Sequence, residues 1–333
     1  MPRYGFNFQW MFSFDPGRKP DAPDERALDF MAEMGFNFVR IPMDYRHWTQ
    51  NFDYLHPDET VFTAIDNYLA ACQSRGMHLS LNLHRAPGYC INRNDLERHN
   101  LWLDPVAQDA FVFIWETFAQ RYQGVSSEFL SFDLVNEPPD IGQYGMTRDN
   151  HAAIIRRVVA AIRAIEPARA ISIDGLSGGN LAMPELADLD VTQSGRGYQP
   201  MPVSHYRAGW WLGSVGLPDP IYPGTIWEGK NWDRAILAEH YQSWRDLETM
   251  GVKVHIGEFG CYNKTPNEVA LAWFSDLFGL FKTFGWGYSL WNFEGDFGII
   301  DHGRPGARFE SFHGYNVDRD LLDLMLSSQL SQN

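Results

Sequence analysis

The run Phe129-Leu130-Ser131-Phe132-Asp133-Leu134-Val135-Asn136-Glu137-Pro138-Pro139 starts as a buried strand and stops abruptly on polar groups. Apolar and β-branched side chains carry it as far as Val135. An amide and a carboxylate follow at once, and two prolines prevent the segment from continuing as an interior strand. A carboxylate at the end of a buried strand is costly unless it is paired or functional. The same arrangement recurs at Val252-Lys253-Val254-His255-Ile256-Gly257-Glu258-Phe259-Gly260. Working outward from these two runs, the chain alternates short segments of strand character with longer stretches of helical period. Eight strand candidates emerge: Tyr4–Phe8, Phe38–Pro42, His78–Leu83, Leu130–Asn136, Ile171–Asp174, Val203–Tyr206, Lys253–Glu258 and Gly287–Asn292.

Helices are expected between them, at Asp24–Met34, Val61–Ser74, Pro105–Tyr122, Arg148–Ile165, Asp233–Met250, Pro266–Phe284 and about Asp318–Ser327. Most stop at or beside Gly, a standard termination signal. A further one near Pro184–Ala187 is short and poorly defined. Eight βα units of about 40 residues each match a single (β/α)8 TIM barrel, with residues 1–333 as one catalytic domain and long loops on its C-terminal face. A doubly wound sheet would carry a Gly-rich phosphate turn after its first strand. Here Gln9-Trp10-Met11-Phe12 follows instead, and Ser177-Gly178-Gly179 has no phosphate-loop lysine.

Composition narrows the function. The 333 residues are 44% apolar and 21% charged, with a formal net charge of −15. Binding nucleic acid needs a Lys/Arg surplus to displace counterions, and an anionic membrane surface would repel this chain, so neither partner is expected. No apolar run approaches the ~18 residues of a spanning helix. The three cysteines, Cys72, Cys90 and Cys261, are too few and too scattered for a disulfide framework. Met1-Pro2-Arg3-Tyr4-Gly5-Phe6-Asn7 lacks the apolar stretch of a secretory signal. A cytoplasmic location is therefore expected, and secretion if a signal has been removed. Aromatic residues reach 15%, with 12 Trp. Trp10, Trp48, Trp102, Trp210, Trp211, Trp227 and Trp232 lie in Gly/Pro-rich segments. An indole face in a loop matches the C–H face of a sugar ring.

In a barrel of this kind the chemistry sits at the C-terminal ends of strands. Those ends carry Asn7, Arg40, His84, Asn136-Glu137, His205-Tyr206, Glu258 and Trp291-Asn292. Strands 4 and 7 of an eight-stranded barrel stand on opposite sides of its mouth, so Glu137 and Glu258 are expected to flank a bound substrate. Two carboxylates on either side of the reacting carbon are what glycoside hydrolysis requires, and a separation of about 5–5.5 Å gives retention of configuration. No metal or organic cofactor is expected: HExxH is absent, as is an HxH after strand 1.

The Asn136-Glu137-Pro138 step and Glu258-Phe259-Gly260 resemble glycoside hydrolase family 5, the cellulase family of retaining β-glycosidases. Arg40 in Val39-Arg40-Ile41-Pro42, His84 in Leu83-His84-Arg85-Ala86-Pro87-Gly88, Trp291 in Leu290-Trp291-Asn292-Phe293 and the tail Asp318-Arg319-Asp320-Leu321-Leu322 extend the likeness along nearly the whole chain. The sequence departs from the family at two points. Arg85 stands where an acidic residue is common, and His205-Tyr206 are adjacent where the family has His-x-Tyr on strand 6. Neighbouring residues on a strand face opposite ways. His205 is therefore the one expected to point inward, with Tyr198 as an alternative phenol.

The resemblance implies double displacement, with Glu258 the ionised nucleophile and Glu137 the acid/base. It implies that Asn136 binds the 2-hydroxyl of the reacting sugar and Trp291 lies beneath that sugar. Arg40 would favour the Glu258 carboxylate, and His84, His205 and Tyr206 would hold substrate or carboxylates. The implied partner is a β-linked oligo- or polysaccharide, first a β-1,4-glucan, with β-mannan or glucomannan as the alternative. A barrel that binds sugar without cutting it is the remote third reading.

Overall fold

The computed structural model describes residues 1–13, 15, 17 and 19–330. Eight strands build the parallel barrel sheet: β1 (Tyr4–Asn7), β2 (Phe38–Asp44), β3 (His78–Ala86), β4 (Leu130–Asp133), β5 (Ala170–Asp174), β6 (Thr192–Gly197), β7 (Lys253–Phe259) and β8 (Gly287–Leu290). Helices α1 (Arg26–Glu33), α2 (Phe62–Ser74), α3 (Pro105–Arg121), α4 (Arg148–Ile165), α5 (Arg234–His240), α6 (Gln242–Thr249), α7 (Asn267–Phe284) and α8 (Arg319–Ser328) alternate with them. A 3-10 segment, Pro184–Leu189, takes the helix position between β5 and β6. This is the (β/α)8 barrel fold.

By contact the chain divides into two compact units: Met1–Asn7, Arg196–Asp246 and Val254–Asn333 form one, Phe8–Gly195 and Leu247–Lys253 the other. In the second, β2 to β6 pair in parallel and in sequence, with Phe38 opposite His78, Leu79 opposite Leu130, Phe132 opposite Ile171 and Ser172 opposite Thr192. Every residue of β2, β3 and β4 is buried, as expected of parallel strands covered on both faces. In the first, β8 lies between β1 and β7, again in parallel. Asn7 joins all three: its Nδ2 donates to the carbonyls of Gly257 at 3.0 Å, Leu290 at 3.3 Å and Ser289 at 3.4 Å.

Seven of the eight expected strands are found, and the sixth is not where the residues suggested. Val203–Tyr206 lies in and just after a helical turn, Met201–Ser204. The sixth strand is Thr192-Gln193-Ser194-Gly195-Arg196-Gly197, which has no apolar side chain to mark it. Small residues suit it because its neighbours come so close. A Cβ on Gly197 would sit 2.5 Å from the Cβ of Phe259. The expected Asp233–Met250 helix is two helices broken at Tyr241. Asp104, at the start of α3, caps no helix N–H and instead accepts from the N–H of Asn100 at 2.7 Å. Among the described residues, no helix is long and apolar enough to cross a membrane.

His151, on α4, is 1% exposed, and its ring lies 5.7 Å from that of Trp102. Neither ring nitrogen has a hydrogen-bond partner among the described residues. Burial, aided by the charge of Arg148, holds its pKa down to about 3. Below the ordinary value near 6.5 the unfolded chain takes up a proton that the folded chain refuses. Stability is therefore complete above pH ~6.5 and is lost as pH falls, by roughly 3 kcal/mol at pH 4. His151→Phe is expected to flatten the fall in denaturant-measured stability between pH 7 and 4. Parallel slopes in the two proteins would show that His151 does not contribute.

Candidate active site

The first group of candidate side chains is built on β2 and on the C-terminal ends of β4 and β5. Arg40, on β2, is 1% exposed and donates from Nε to Asp133 Oδ2 at 2.6 Å and from Nη2 to Asn136 Oδ1 at 2.9 Å. Its guanidinium also lies 3.6 Å from Asp174 Oδ2, at the end of β5. Two buried carboxylates and an amide therefore share one guanidinium, whose planar fork suits several acceptors at once. The bond to Asn136 Oδ1 fixes the amide's orientation and turns its NH2 end away from Arg40.

Glu137 follows directly. The chain beyond β4 stays tied to its neighbours, with Leu134 N–H donating to the Ser172 carbonyl at 3.1 Å and Asn136 N–H to that of Leu83 at 3.0 Å. At Glu137 the backbone then turns to φ 45°, a left-handed conformation uncommon for a residue with a Cβ. Side chains hold it there on both sides. The Glu137 N–H donates to Asp174 Oδ2 at 3.0 Å, and its carbonyl accepts from the Tyr89 hydroxyl at 2.5 Å. Strain of this kind persists where the surroundings over-determine it, and such places cluster at functional sites. The Glu137 carboxylate stands half-buried at the strand end.

His84, at the end of β3, is 3% exposed and lies 4.3 Å, ring to ring, from Phe12. Arg85 faces the other way, which accounts for its departure from the family pattern. It lies 2.6 Å from Glu97 Oε1 and 3.4 Å from Asp44 Oδ2, with all three side chains buried. Glu97 in turn accepts from the Tyr45 hydroxyl at 2.8 Å and the Gly88 N–H at 3.1 Å. This network anchors the loop after β3 to the end of β2.

The second group is built on β6, β7 and β8. Glu258, 3% exposed, receives a donor on each oxygen: Arg196 Nη2 at 3.2 Å on Oε1 and the Tyr198 hydroxyl at 3.2 Å on Oε2. Arg196 and Tyr198 are two residues apart and share a face of the extended chain, while Gly197 between them allows the close approach to Phe259. The buried Tyr241 hydroxyl donates to the Arg196 carbonyl at 3.1 Å and steadies that end. Arg196-Gly197-Tyr198 has the spacing of His-x-Tyr, with arginine in the place of histidine.

His205 lies just beyond, its Nδ1 2.8 Å from Ser204 Oγ and its ring 5.1 Å from that of Tyr198. Burial lowers its pKa to about 4. Tyr206 directs its hydroxyl to Asp219, so the phenol on Glu258 is Tyr198. Trp291 is half-buried, and its peptide bond to Asn292 is cis. Of the loop tryptophans, Trp232 is 3% exposed and Trp211 and Trp227 are half-buried, while Trp210 is 59% exposed. Trp210 leans on Tyr262 with ring centres 4.9 Å apart. No apolar pattern or motif in the sequence marks Asp133, Asp174 or Arg196. The two aspartates looked like ordinary strand residues, and Arg196 lay in a strand with no apolar signature. An Arg-x-Tyr spacing was the available clue. Among the described residues, no group of three or more His, Cys, Asp or Glu is arranged to hold a metal ion.

Removing one partner of a buried ion set strands the others, at a cost of about 3–5 kcal/mol. Arg40→Met would remove the guanidinium shared by the buried Asp133 and Asp174. It is expected to lower unfolding free energy in urea by that amount, and Asp133→Asn in the same background to restore part of it. A loss below about 1 kcal/mol would contradict this account of the ion set.

Comparison with known proteins gives the family. The cellulase family (glycosyl hydrolase family 5) matches residues 3–296. Endoglucanase C of Acetivibrio thermocellus is 28% identical over 309 residues, covering 84% of this chain and 87% of that protein. Cellodextrinase A of Ruminococcus flavefaciens is 26% identical over 289 residues, covering 83% and 80%. A crystal structure described as a glycoside hydrolase superposes with a TM-score of 0.97 at 64% identity, over 99% of this chain and 100% of that one. The chain belongs to glycoside hydrolase family 5.

Proposed function

We propose that this protein is a retaining β-glycoside hydrolase that cuts β-1,4-linked glucan chains or their oligosaccharides, with Glu258 as nucleophile and Glu137 as acid/base. The observation that carries the reading is the setting of Glu258: a buried carboxylate at the end of β7 with a charged donor on one oxygen and a phenol on the other. Two relatives named for cellulose-type substrates, an endoglucanase and a cellodextrinase, support glucan as the first substrate to try. The barrel acts as a single catalytic domain on this reading.

A Glu258 oxygen attacks the anomeric carbon while Glu137 delivers a proton to the departing glycosidic oxygen. The C1–O bond breaks and a glycosyl ester forms on Glu258. Water then attacks C1, Glu137 takes its proton, and the ester electron pair returns to the Glu258 carboxylate. Arg40 orients the Asn136 amide so that its NH2 end meets the 2-hydroxyl of the reacting sugar, a contact that strengthens in the transition state. Trp291 offers its indole beneath that sugar. His84 binds substrate from β3, and His205 supports Tyr198 from behind. This chemistry uses only protein side chains and water.

The test follows products over time by mass-sensitive chromatography, using matched β-1,4-gluco- and manno-hexasaccharides. Wild type is expected to cut the gluco-hexamer faster. Glu258→Ala should abolish cleavage, and Glu137→Ala should slow it by about 10²–10⁴-fold, the usual contribution of a general acid. Preference for the manno-hexamer would move the substrate to mannan, and cleavage of neither would overturn the reading. Trp210→Ala is expected to raise KM for the hexamer by about 2–10-fold, the worth of one aromatic contact, with kcat little changed. An unaltered KM would remove Trp210 from the substrate path.

A further inference from the structure

Arg196 does more than the proposed mechanism has yet used. Its guanidinium is fully buried, and the Glu258 carboxylate it touches is 4% exposed at the side chain. An arginine stays protonated at any working pH, whereas the histidine expected at this spacing loses its charge near neutrality. The donors on the two Glu258 oxygens therefore differ in kind: a permanent cation on Oε1 and a neutral hydroxyl on Oε2.

This asymmetry bears unequally on the two halves of the proposed reaction. In the free enzyme and in the product complex Glu258 is a carboxylate, and Arg196 is paired with it. In the glycosyl-enzyme the same oxygen pair belongs to a neutral ester, and Arg196 has lost a charged partner in a buried place, where a cation's pairing matters most. The cation thus raises the covalent intermediate relative to the states on either side. It slows the attack of Glu258 and speeds its departure. Resting on the retaining reading above, we propose that Arg196 is a positioning residue that acts through Glu258 to hasten the second half-reaction, release of the sugar from the enzyme. In that step the bond from C1 to the Glu258 oxygen breaks, its electron pair returns to the carboxylate facing Arg196, the water oxygen bonds to C1, and the water proton goes to Glu137.

The experiment is stopped-flow hydrolysis of 2,4-dinitrophenyl β-cellobioside, whose leaving group departs without a proton from Glu137. Phenolate release reports attack by Glu258 in its first phase and sugar release in its steady phase. Arg196→Gln is expected to show a stoichiometric burst followed by a steady rate at least about 10-fold below wild type, with the burst rate equal to or above wild type. Arg196→Lys, which keeps the charge, should return the steady rate to within a few-fold of wild type. A role in folding or general site order would instead depress both phases together in both variants. If Arg196→Gln does not fold, Arg196→His above pH 8, where imidazole is neutral, carries the same expectation. Equal loss in both phases, an unchanged steady rate, or a lysine variant no better than glutamine overturns the proposal. Wild type that releases no phenolate overturns the hydrolase reading itself and this one with it.

Discussion

The ends of β4 and β5 meet on the guanidinium of Arg40, which projects from within β2. Asp133 from β4 and Asp174 from β5 are both buried, and the Arg40 cation offsets part of the cost of burying their charges. Once the ion set exists, the rest of this group of side chains follows from it. Arg40 orients the Asn136 amide, and Asp174 takes the N–H of Glu137 and so supports the left-handed turn that swings the Glu137 carboxylate out of the strand line. The Tyr89 hydroxyl closes the other side of that turn. A carboxylate placed this way is positioned by its backbone.

The same economy appears around Glu258 with different parts. Asn7 and Ser289 both donate to the carbonyl of Gly257, the residue before it, and join the ends of β1, β7 and β8 at that point. Tyr241 holds the backbone at Arg196, and the bare Gly197 lets that strand approach Phe259 closely enough for Arg196 and Tyr198 to reach the carboxylate. In both groups the precision comes from backbone groups claimed by buried polar side chains, a scheme that leaves little freedom for the residues it positions.

How much of this was legible in the sequence depends on which signal each residue carried. Glu137 and Glu258 stood out because each ends an apolar run, and burial of a charge is a contradiction that composition alone makes visible. Arg40, His84, Asn136 and Trp291 were singled out by their places at expected strand ends together with the family resemblance. The sixth strand failed because the reading depended on apolar residues, and Thr192–Gly197 is buried although its side chains are polar or absent. Val203 and Tyr206 supplied the hydrophobicity expected of a strand but belong to the packed turn beyond it. With the strand misplaced, Arg196 went unseen and Tyr198 ranked below Tyr206. Asp133 and Asp174 were hidden for another reason: a buried aspartate is recognisable only when its partner is known, and partners come from the fold.

The central claim is that Glu258 forms a bond to the sugar. Its most direct test is to incubate the protein with 2,4-dinitrophenyl 2-deoxy-2-fluoro-β-cellobioside, whose fluorine slows both steps while the activated leaving group spares the first. Digestion and peptide mapping by mass spectrometry then locate any adduct. The account predicts one fluorocellobiosyl group per protein, on the peptide containing Glu258 and absent in Glu258→Gln. An adduct on any other residue, or turnover of the unsubstituted glycoside to a product of inverted configuration with no adduct, would contradict it.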